Sequence, residues 1–543
     1  MMRIAAILIA CSAIALADDS ATLPELLPAD LSIADAIDRY ISQTHSRDGI
    51  VPAERAADTT IHRRMTLDLV GRIPTVSEQQ WLQTIDPETR VSALAERLME
   101  QPGFSLHLRN EMDTLLLPRQ PNDGKFREYL LWAIQEKRSW ETMFRDMLLP
   151  QPSEGPQSGA IRFIETRIGQ VDDLTNDTAV LFFGVNISCA KCHDHPLVED
   201  WRQDHYYGMQ SFFTRTYKTK KNTLAEKFYD QVKFKTTAGE DKTAAFMFLT
   251  GRVLEDRTPK FNEDERKSAD EKIRNAQKDD KAEIPVPDFS PRRELVEAAL
   301  TDEEQLFFAR NIVNRVWARL IGTGIVDPPD QMHSANPPSH PELLLWLARD
   351  LKTNNYDLKR LINGIVQSAA YLRSSTWTQE GDAPHAQAFA LGRIQPLSPR
   401  QLAASLLVAG RSPDYWVAVG DPEEWARQRE QLEKNAEGWS REFEVPGDSF
   451  QIAVDEALFF SNSSRVEDDI LRTGNDRLIG HLTKTEDIEQ ITTTLTKVVF
   501  CREPTQQERE VFRSWLSREN GRVEVLQQLT WAMLAGPEFR FNH

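Results

Sequence analysis

Apolar positions recur every three or four residues over most of this chain, which is the spacing of one face of a helix. In the first half the pattern runs from about residue 31 to residue 213. One predicted helix has the apolar positions Val91, Leu94, Ala95, Leu98 and Met99. A capping box formed by Thr75 and Glu78 predicts the start of another helix. We therefore expect residues 31–213 to form a helical domain.

The pattern changes between residues 214 and 291. Residues 232–236 alternate between polar and apolar side chains, and residues 245–249 form a short apolar run, so both stretches predict strands. Residues 262–281 are dominated by charge, and Ile273 is their only large apolar side chain. That composition favours a solvated helix or a linker. We expect a small β-containing segment followed by a charged linker.

Helical spacing returns from residue 292 to residue 543. One apolar stripe consists of Phe307, Phe308, Ile312, Val316 and Leu320 and stops at Gly322. Ser339 and Glu342 predict a capping box in which His340 is the first helical residue; the alternative is that His340 acts as a ligand or base beside Glu342. The predicted fold class is mainly α, with two helical domains joined by the β-containing, charged middle segment.

The first 17 residues have the pattern of a cleaved export signal. A positively charged start is followed by an apolar run over residues 4–16 and by small residues at positions 15–17. The run is shorter than the roughly 20 apolar residues that span a bilayer. We expect an exported protein of the periplasm or cell envelope, with no transmembrane segment. The residues before Cys11 also resemble a bacterial lipobox, which would place a lipid anchor on Cys11.

Charge and cysteine content narrow the function classes. A formal net charge of -18 and a pI of about 5.2 argue against a nucleic-acid partner. Of the four cysteines, Cys11 falls in the leader, so the mature chain retains Cys189, Cys192 and Cys501. We expect Cys501 to be a small buried hydrophobic residue.

The two remaining cysteines belong to the run Cys189-Ala190-Lys191-Cys192-His193. C-x-x-C-H is the spacing by which c-type haem is attached: two thiols reach the porphyrin vinyl groups and the histidine offers a proximal iron ligand. A structural disulfide is an alternative in an exported chain. A zinc site made of Cys189, Cys192, His193 and His195 is another.

A sixth iron ligand would come from the predicted helix at residues 201–213. His205 and Met209 are four residues apart and share one face of it, and we favour Met209, with an open site as the alternative. Aromatic and aliphatic side chains that flank the motif either line a porphyrin slot or pack a core. Asp194 and His195 either tune the site or end the turn after the motif.

Seven stretches carry a resemblance to a known family. They are residues 63–74, 184–196, 204–213, 314–318, 322–326, 336–344 and 538–543. The chain resembles planctomycete-type exported proteins that pair a cytochrome-c-like domain, which contains C-x-x-C-H, with a C-terminal domain of unknown function. The resemblance implies no defined activity for either domain. Within it, we expect Arg63, Arg64 and Asp68 to form ion pairs at a surface or an interface.

Two functions follow as hypotheses. The first is an exported c-type haem protein in electron transfer or haem-based redox chemistry, with an unidentified redox partner. The second is a non-redox accessory or scaffold protein of the cell envelope, in which the cysteine motif holds a structural metal or a disulfide. The resemblance links this second role to polysaccharide degradation.

Overall fold

The architecture is mainly α in the computed structural model, which describes residues 26–151, 153–195, 198–416, 422–445, 460, 463–517 and 521–543. The predicted leader, including Cys11, lies outside the described residues. The α-helices of the first half are Ile33–Asp48, Asp58–Val70, Val76–Gln83, Arg90–Glu100, Pro102–Leu116, Gly124–Gln135, Trp140–Leu148, Arg162–Glu165, Val171–Phe183 and Gln203–Ser211. Two 3-10 helices, Pro156–Ile161 and Ser188–Lys191, complete it.

The middle segment holds three two-stranded antiparallel sheets and one charged helix. The strand pairs are Thr216–Lys218 with Leu224–Glu226, Lys233–Lys235 with Asp241–Thr243, and Phe246–Met247 with Val253–Leu254. The two predicted strands are confirmed, though both are shorter than predicted. The charged stretch is a helix, Glu263–Lys278, that buries Ile273 and Ala276 against Tyr217.

The second half is again helical. Its α-helices are Pro291–Leu300, Phe307–Ile321, Pro341–Thr353, Leu358–Val366, Ala369–Leu372, Pro399–Ala409, Pro422–Ser440, Ser464–Val466, Leu478–Leu482, Ile488–Phe500, Gln506–Leu516, Arg522–Ala535 and Pro537–Arg540. A 3-10 helix Ala386–Ala388, a π-helix Glu467–Leu471 and the strand pair Gln395–Pro396 with Phe541–Asn542 complete it. Among the described residues, no helix is long and apolar enough to cross a membrane.

The two helical halves share their hydrophobic cores. Phe144 packs against Phe182 of the first half and Phe308 of the second, with ring centroids 4.7 and 4.6 Å away. A second core combines Leu67 and Ile73 with side chains from residues 397–539. The helix Asp58–Val70 contributes to both cores, so neither half closes its apolar surface alone.

Arg63, Arg64 and Asp68 lie at an interface, between the two halves, and not at the surface, because all three side chains are buried. The expected ion pairs are replaced by hydrogen bonds to the second half. Arg63 donates to the carbonyls of residues 538, 539 and 541. Arg64 donates to the carbonyls of Tyr371 and residue 373, and Asp68 accepts hydrogen bonds from Tyr371 and Asn542. These bonds satisfy backbone and side-chain groups that burial would otherwise leave unpaired.

The predicted capping box at Ser339 is wrong. The helix begins at Pro341, its N-cap is His340, and no side chain caps it. Proline favours the first helical position because its missing N–H needs no partner there, and this moves the cap one residue past Ser339. His340 is buried against the ring of Phe389, and burial lowers the pKa of its imidazole to about 4.

Candidate functional site

The C-x-x-C-H motif follows the helix Val171–Phe183, which ends at Gly184 in the left-handed conformation with φ of 70°. Glycine adopts this conformation without strain, and a Cβ here would lie 2.9 Å from Oδ1 of Asn311. The chain then pairs with the second half, since the N–H of Asn186 donates to the carbonyl of Asp330 at 3.0 Å. The start of the motif loop is thereby attached to both halves.

Cys189 lies within a single 3-10 turn, Ser188–Lys191, and Cys192 is the residue that follows it. The N–H of Cys192 donates to the carbonyl of Cys189 at 3.3 Å, which closes the turn. Both thiols are exposed and neither forms a disulfide. The third cysteine, Cys501, is buried as predicted. The two motif thiols are therefore open to a reagent or cofactor from solvent.

Side chains of neighbouring helices hold the motif turn in place. Lys191 pairs with Asp172 at 2.7 Å, and Tyr207 donates to the carbonyl of Lys191 at 3.0 Å. Gln203 donates to the carbonyl of Cys192 at 3.3 Å. Burial acts to raise the pKa of Asp172, but hydrogen bonds from Lys191 and Tyr206 outweigh it and keep the pKa below its usual value. An ionised carboxylate thus faces the Lys191 ammonium within the motif.

His193 is exposed, and its Nδ1 lies 2.7 Å from the carbonyl oxygen of Asp194. A backbone carbonyl at one ring nitrogen fixes the tautomer and leaves Nε2 as the metal-binding nitrogen. The carboxylate of Asp194 accepts from the N–H of Gln203 at 2.9 Å, at the start of the next helix. Asp194 therefore accepts from the first N–H of that helix, whose N-cap is Arg202, and this bond is not to a histidine ring.

The helix predicted at residues 201–213 spans Gln203–Ser211. The two candidate distal ligands both lie on it but differ in their exposure to solvent. Met209 is completely buried in the core. His205 is partly exposed, and its Nδ1 accepts from the N–H of Arg202 at 3.2 Å. Burial lowers the pKa of His205 below its usual value. Ligation by Met209 stays a prediction, and it would require that side chain to leave the core.

Most of the apolar side chains that flank the motif pack a core. The ring of Phe182 packs at a tilt against those of Phe144 and Phe163, and Phe183 meets Phe248 edge to face. Val185, Ile187, Tyr206, Phe212 and Phe213 are buried with them. Tyr207 is the exception, because it remains partly exposed and stacks on Phe234 at 4.2 Å. A porphyrin at the motif would therefore lie against the outside of the domain.

A segment of the second half reaches the end of the motif loop. The N–H of Met332 donates to the carbonyl of Gly184, and Ser334 donates twice to the carboxylate of Asp200 at 2.7 Å. Met332 and His333 line a cleft of about 450 Å³ together with His205. Periodicity and motif spacing do not place Met332 and His333 at this contact, because nothing local relates residues 330–334 to residues 184–205.

The zinc alternative is left without an assembled ligand set in the described part of the chain. No group of three or more histidine, cysteine, aspartate or glutamate side chains there is arranged to hold a metal ion. Zinc at this motif stays a prediction.

Comparison with known proteins divides the chain into two matched regions. Residues 36–218 match the PSCyt2 family model, described as a protein of unknown function (DUF1549). Residues 291–516 match the PSD1 family model, described as a protein of unknown function (DUF1553). No curated protein and no solved structure matches the chain. The two-domain arrangement is thus established at the level of family models, and neither model carries an activity.

Proposed function

We propose that this protein is an exported c-type haem protein that works in electron transfer or haem-based redox chemistry at the cell envelope. Cys189 and Cys192 would form the two thioethers and His193 would be the proximal ligand. The observation that carries the proposal is the pair of free, exposed thiols on one turn, followed directly by a histidine whose Nδ1 faces a carbonyl.

The donor set fits the chemistry of a c-type haem. Thioether formation needs two accessible thiols at fixed spacing, and the 3-10 turn presents both on the surface. Iron ligation needs one unblocked imidazole nitrogen, and the carbonyl of Asp194 orients the ring of His193 for that role. Bound haem supplies one-electron redox chemistry, with a potential set by its axial ligands and its exposure to solvent.

The surroundings favour electron transfer over chemistry in a sealed pocket. Because most apolar side chains next to the motif are committed to the core, one haem edge would stay in contact with water or a partner protein. Lys191 and Asp172 lie beside the thiols and are themselves partly exposed. An exposed edge with charged neighbours suits transient docking of a redox partner.

The test is a pyridine haemochrome spectrum of the full chain made in a bacterial strain that attaches haem c. We expect a covalent haem band from the wild type and none from the Cys189→Ser plus Cys192→Ser variant. Cys501→Ser is the matched control and should keep the band, because that thiol is buried far along the chain from the motif.

Absence of a covalent band from the folded wild type would contradict the proposal. Stoichiometric zinc without iron, or a disulfide between Cys189 and Cys192, would favour the accessory or scaffold role. Retention of the haem band in the double variant would also contradict the haem proposal. The sequence has no other C-x-x-C-H run that could form two thioethers.

A further inference from the structure

A cleft of about 450 Å³ lies where the two helical halves meet. The first half contributes Trp201 and His205, the middle segment Leu249, and the second half Phe307, Arg310 and His333. The volume falls within the range of small-molecule sites, roughly 300–1,000 Å³. The floor is apolar, because Trp201, Leu249 and Phe307 are buried.

Arg310 lines this cleft and forms no ion pair with the carboxylates of the described residues. No carboxylate oxygen in the described part of the chain lies within ion-pair distance of its guanidinium, and its only hydrogen bond is a long one, 3.4 Å from Nη1 to the carbonyl of Gln305. Burial lowers its pKa, while Asp302 at longer range acts in the opposite direction. Arg315, on the same helix, has a closer partner, because it donates at 2.7 Å to the carbonyl of Val180.

The carboxylates near Arg310 are otherwise engaged or exposed. Asp302 accepts from the N–H groups of residues 304, 305 and 307. Both oxygens of Asp200 accept from Ser334. Glu304 lies exposed on the rim, where water screens its charge. The partly exposed guanidinium of Arg310 therefore keeps N–H donors open to the cleft, where an anionic ligand can reach them.

We propose that the cleft binds a small monocarboxylic acid, whose carboxylate is held by Arg310 and whose remaining atoms rest on Phe307, Leu249 and Met332. The planar guanidinium matches a carboxylate with two parallel hydrogen bonds. A single negative charge suits the cleft better than a phosphate or sulfate, because the carboxylate of Asp200 also lines it and would repel a second one.

The cleft adjoins the cysteine motif, which makes the bound acid a candidate substrate or effector of that site. The N–H of His195 donates to the carbonyl of Trp201 at 2.8 Å, and the ring of Trp201 meets His205 edge to face. Only Asp194 lies between His193 and His195 in the chain. The binding proposal itself stands without haem, because neither Arg310 nor the apolar floor includes a motif residue.

The test compares acids with their neutral amides by ligand-observed NMR and titration calorimetry on the full chain. The pairs are phenylacetate with phenylacetamide and butanoate with butanamide, whose apolar tails match the apolar side chains of the cleft. We expect at least one acid to bind at least tenfold more tightly than its amide. Arg310→Gln should weaken that acid at least tenfold and leave the amide unchanged, whereas Arg274→Gln on the exposed charged helix should change neither.

Three results would overturn the proposal: no binding of either acid, equal binding of acid and amide, or tighter binding of the dianion phenylphosphonate than of phenylacetate. The acid–amide comparison uses the wild type, so it remains decisive if Arg310→Gln does not fold. The same comparison on the Cys189→Ser plus Cys192→Ser chain separates this proposal from the haem proposal, since acid binding should persist there.

Discussion

The carboxylate of Asp194 accepts a hydrogen bond from the backbone N–H of Gln203 at 2.9 Å. The bond joins the residue after His193 to the first residue of the helix Gln203–Ser211. An acidic side chain at this position satisfies an otherwise unpaired N–H and interacts favourably with the positive end of the helix. The histidine of the motif is therefore positioned by the start of the next helix.

Removing this cap should destabilise the protein and loosen the motif. We expect Asp194→Ala to lower the free energy of unfolding by about 1 kcal/mol, the usual cost of losing an N-terminal cap. Asp194→Asn keeps a side-chain acceptor and should retain most of that stability. Urea denaturation of the three proteins measures the difference, and equal midpoints for Ala and wild type would contradict the capping role.

Gly184 should tolerate alanine less well than Gly49 does. Both have positive φ, 70° and 67°, so both substitutions pay the same backbone cost of about 1 kcal/mol. Only at Gly184 would the new Cβ also meet Asn311 and Met332, at 2.9 and 3.0 Å, whereas nothing lies within 4 Å at Gly49.

Thermal and urea unfolding of Gly184→Ala and Gly49→Ala therefore isolate the close contact between the two halves. We expect the Gly184 variant to lose roughly 1–3 kcal/mol more, the range for overpacking a tight contact. Equal losses would mean that the second half can move away from the motif loop without cost.

Asp68 should make stability fall as pH rises. Burial raises the pKa of its carboxyl to about 6, although a hydrogen bond from Tyr371 acts to lower it. The unfolded pKa is about 3.9, so the folded state holds the proton more tightly. This contribution is fully present below about pH 3.9 and is lost as pH rises through 6.

The measurement is the difference in unfolding free energy between wild type and Asp68→Asn at pH 4 and at pH 7. Relative to Asp68→Asn, the wild type should lose about 2–3 kcal/mol of unfolding free energy between pH 4 and pH 7. Asp264→Asn, at an exposed site on the charged helix, is the control and should show no such change. A constant difference for Asp68→Asn would mean that its carboxyl titrates normally in the fold.

The distal ligand can be assigned from ferric absorption spectra of the haem-loaded protein. The spacing of His205 and Met209 predicts a Met209 ligand, so Met209→Ala should alter the spectrum and His205→Ala should not. Because Met209 is completely buried, its replacement should also lower stability by about 2–5 kcal/mol, the usual cost of truncating a core methionine.

Met209→Leu separates the two effects, since it keeps the packing and removes the sulfur. An unchanged spectrum in that variant would show that the core residue does not bind iron. If only His205→Ala changes the ferric spectrum, the distal ligand is His205, on the cleft side of the helix. If neither Met209→Leu nor His205→Ala changes the spectrum, the distal position of the iron is open.

Local pattern was enough to predict the mainly α fold, several helix ends and the candidate haem ligands. The capping box at Thr75 and the stripe ending at Gly322 are both found as predicted. These features depend on residues within one or two helical turns, where periodicity and hydrogen bonding of the backbone act directly. The C-x-x-C-H spacing is likewise a local property, so the sequence by itself places both thiols and His193 together.

Tertiary structure alone decided which polar residues are buried and what they contact. Arg63 binds carbonyls more than 470 residues away, and Arg310 lines the same cleft as Trp201. Tertiary packing also places His205 at the cleft and Met209 in the core, although the two residues share one helix. Such pairings depend on how helices distant in sequence pack, because burial and partner groups are set by the shared core and leave no trace in local spacing.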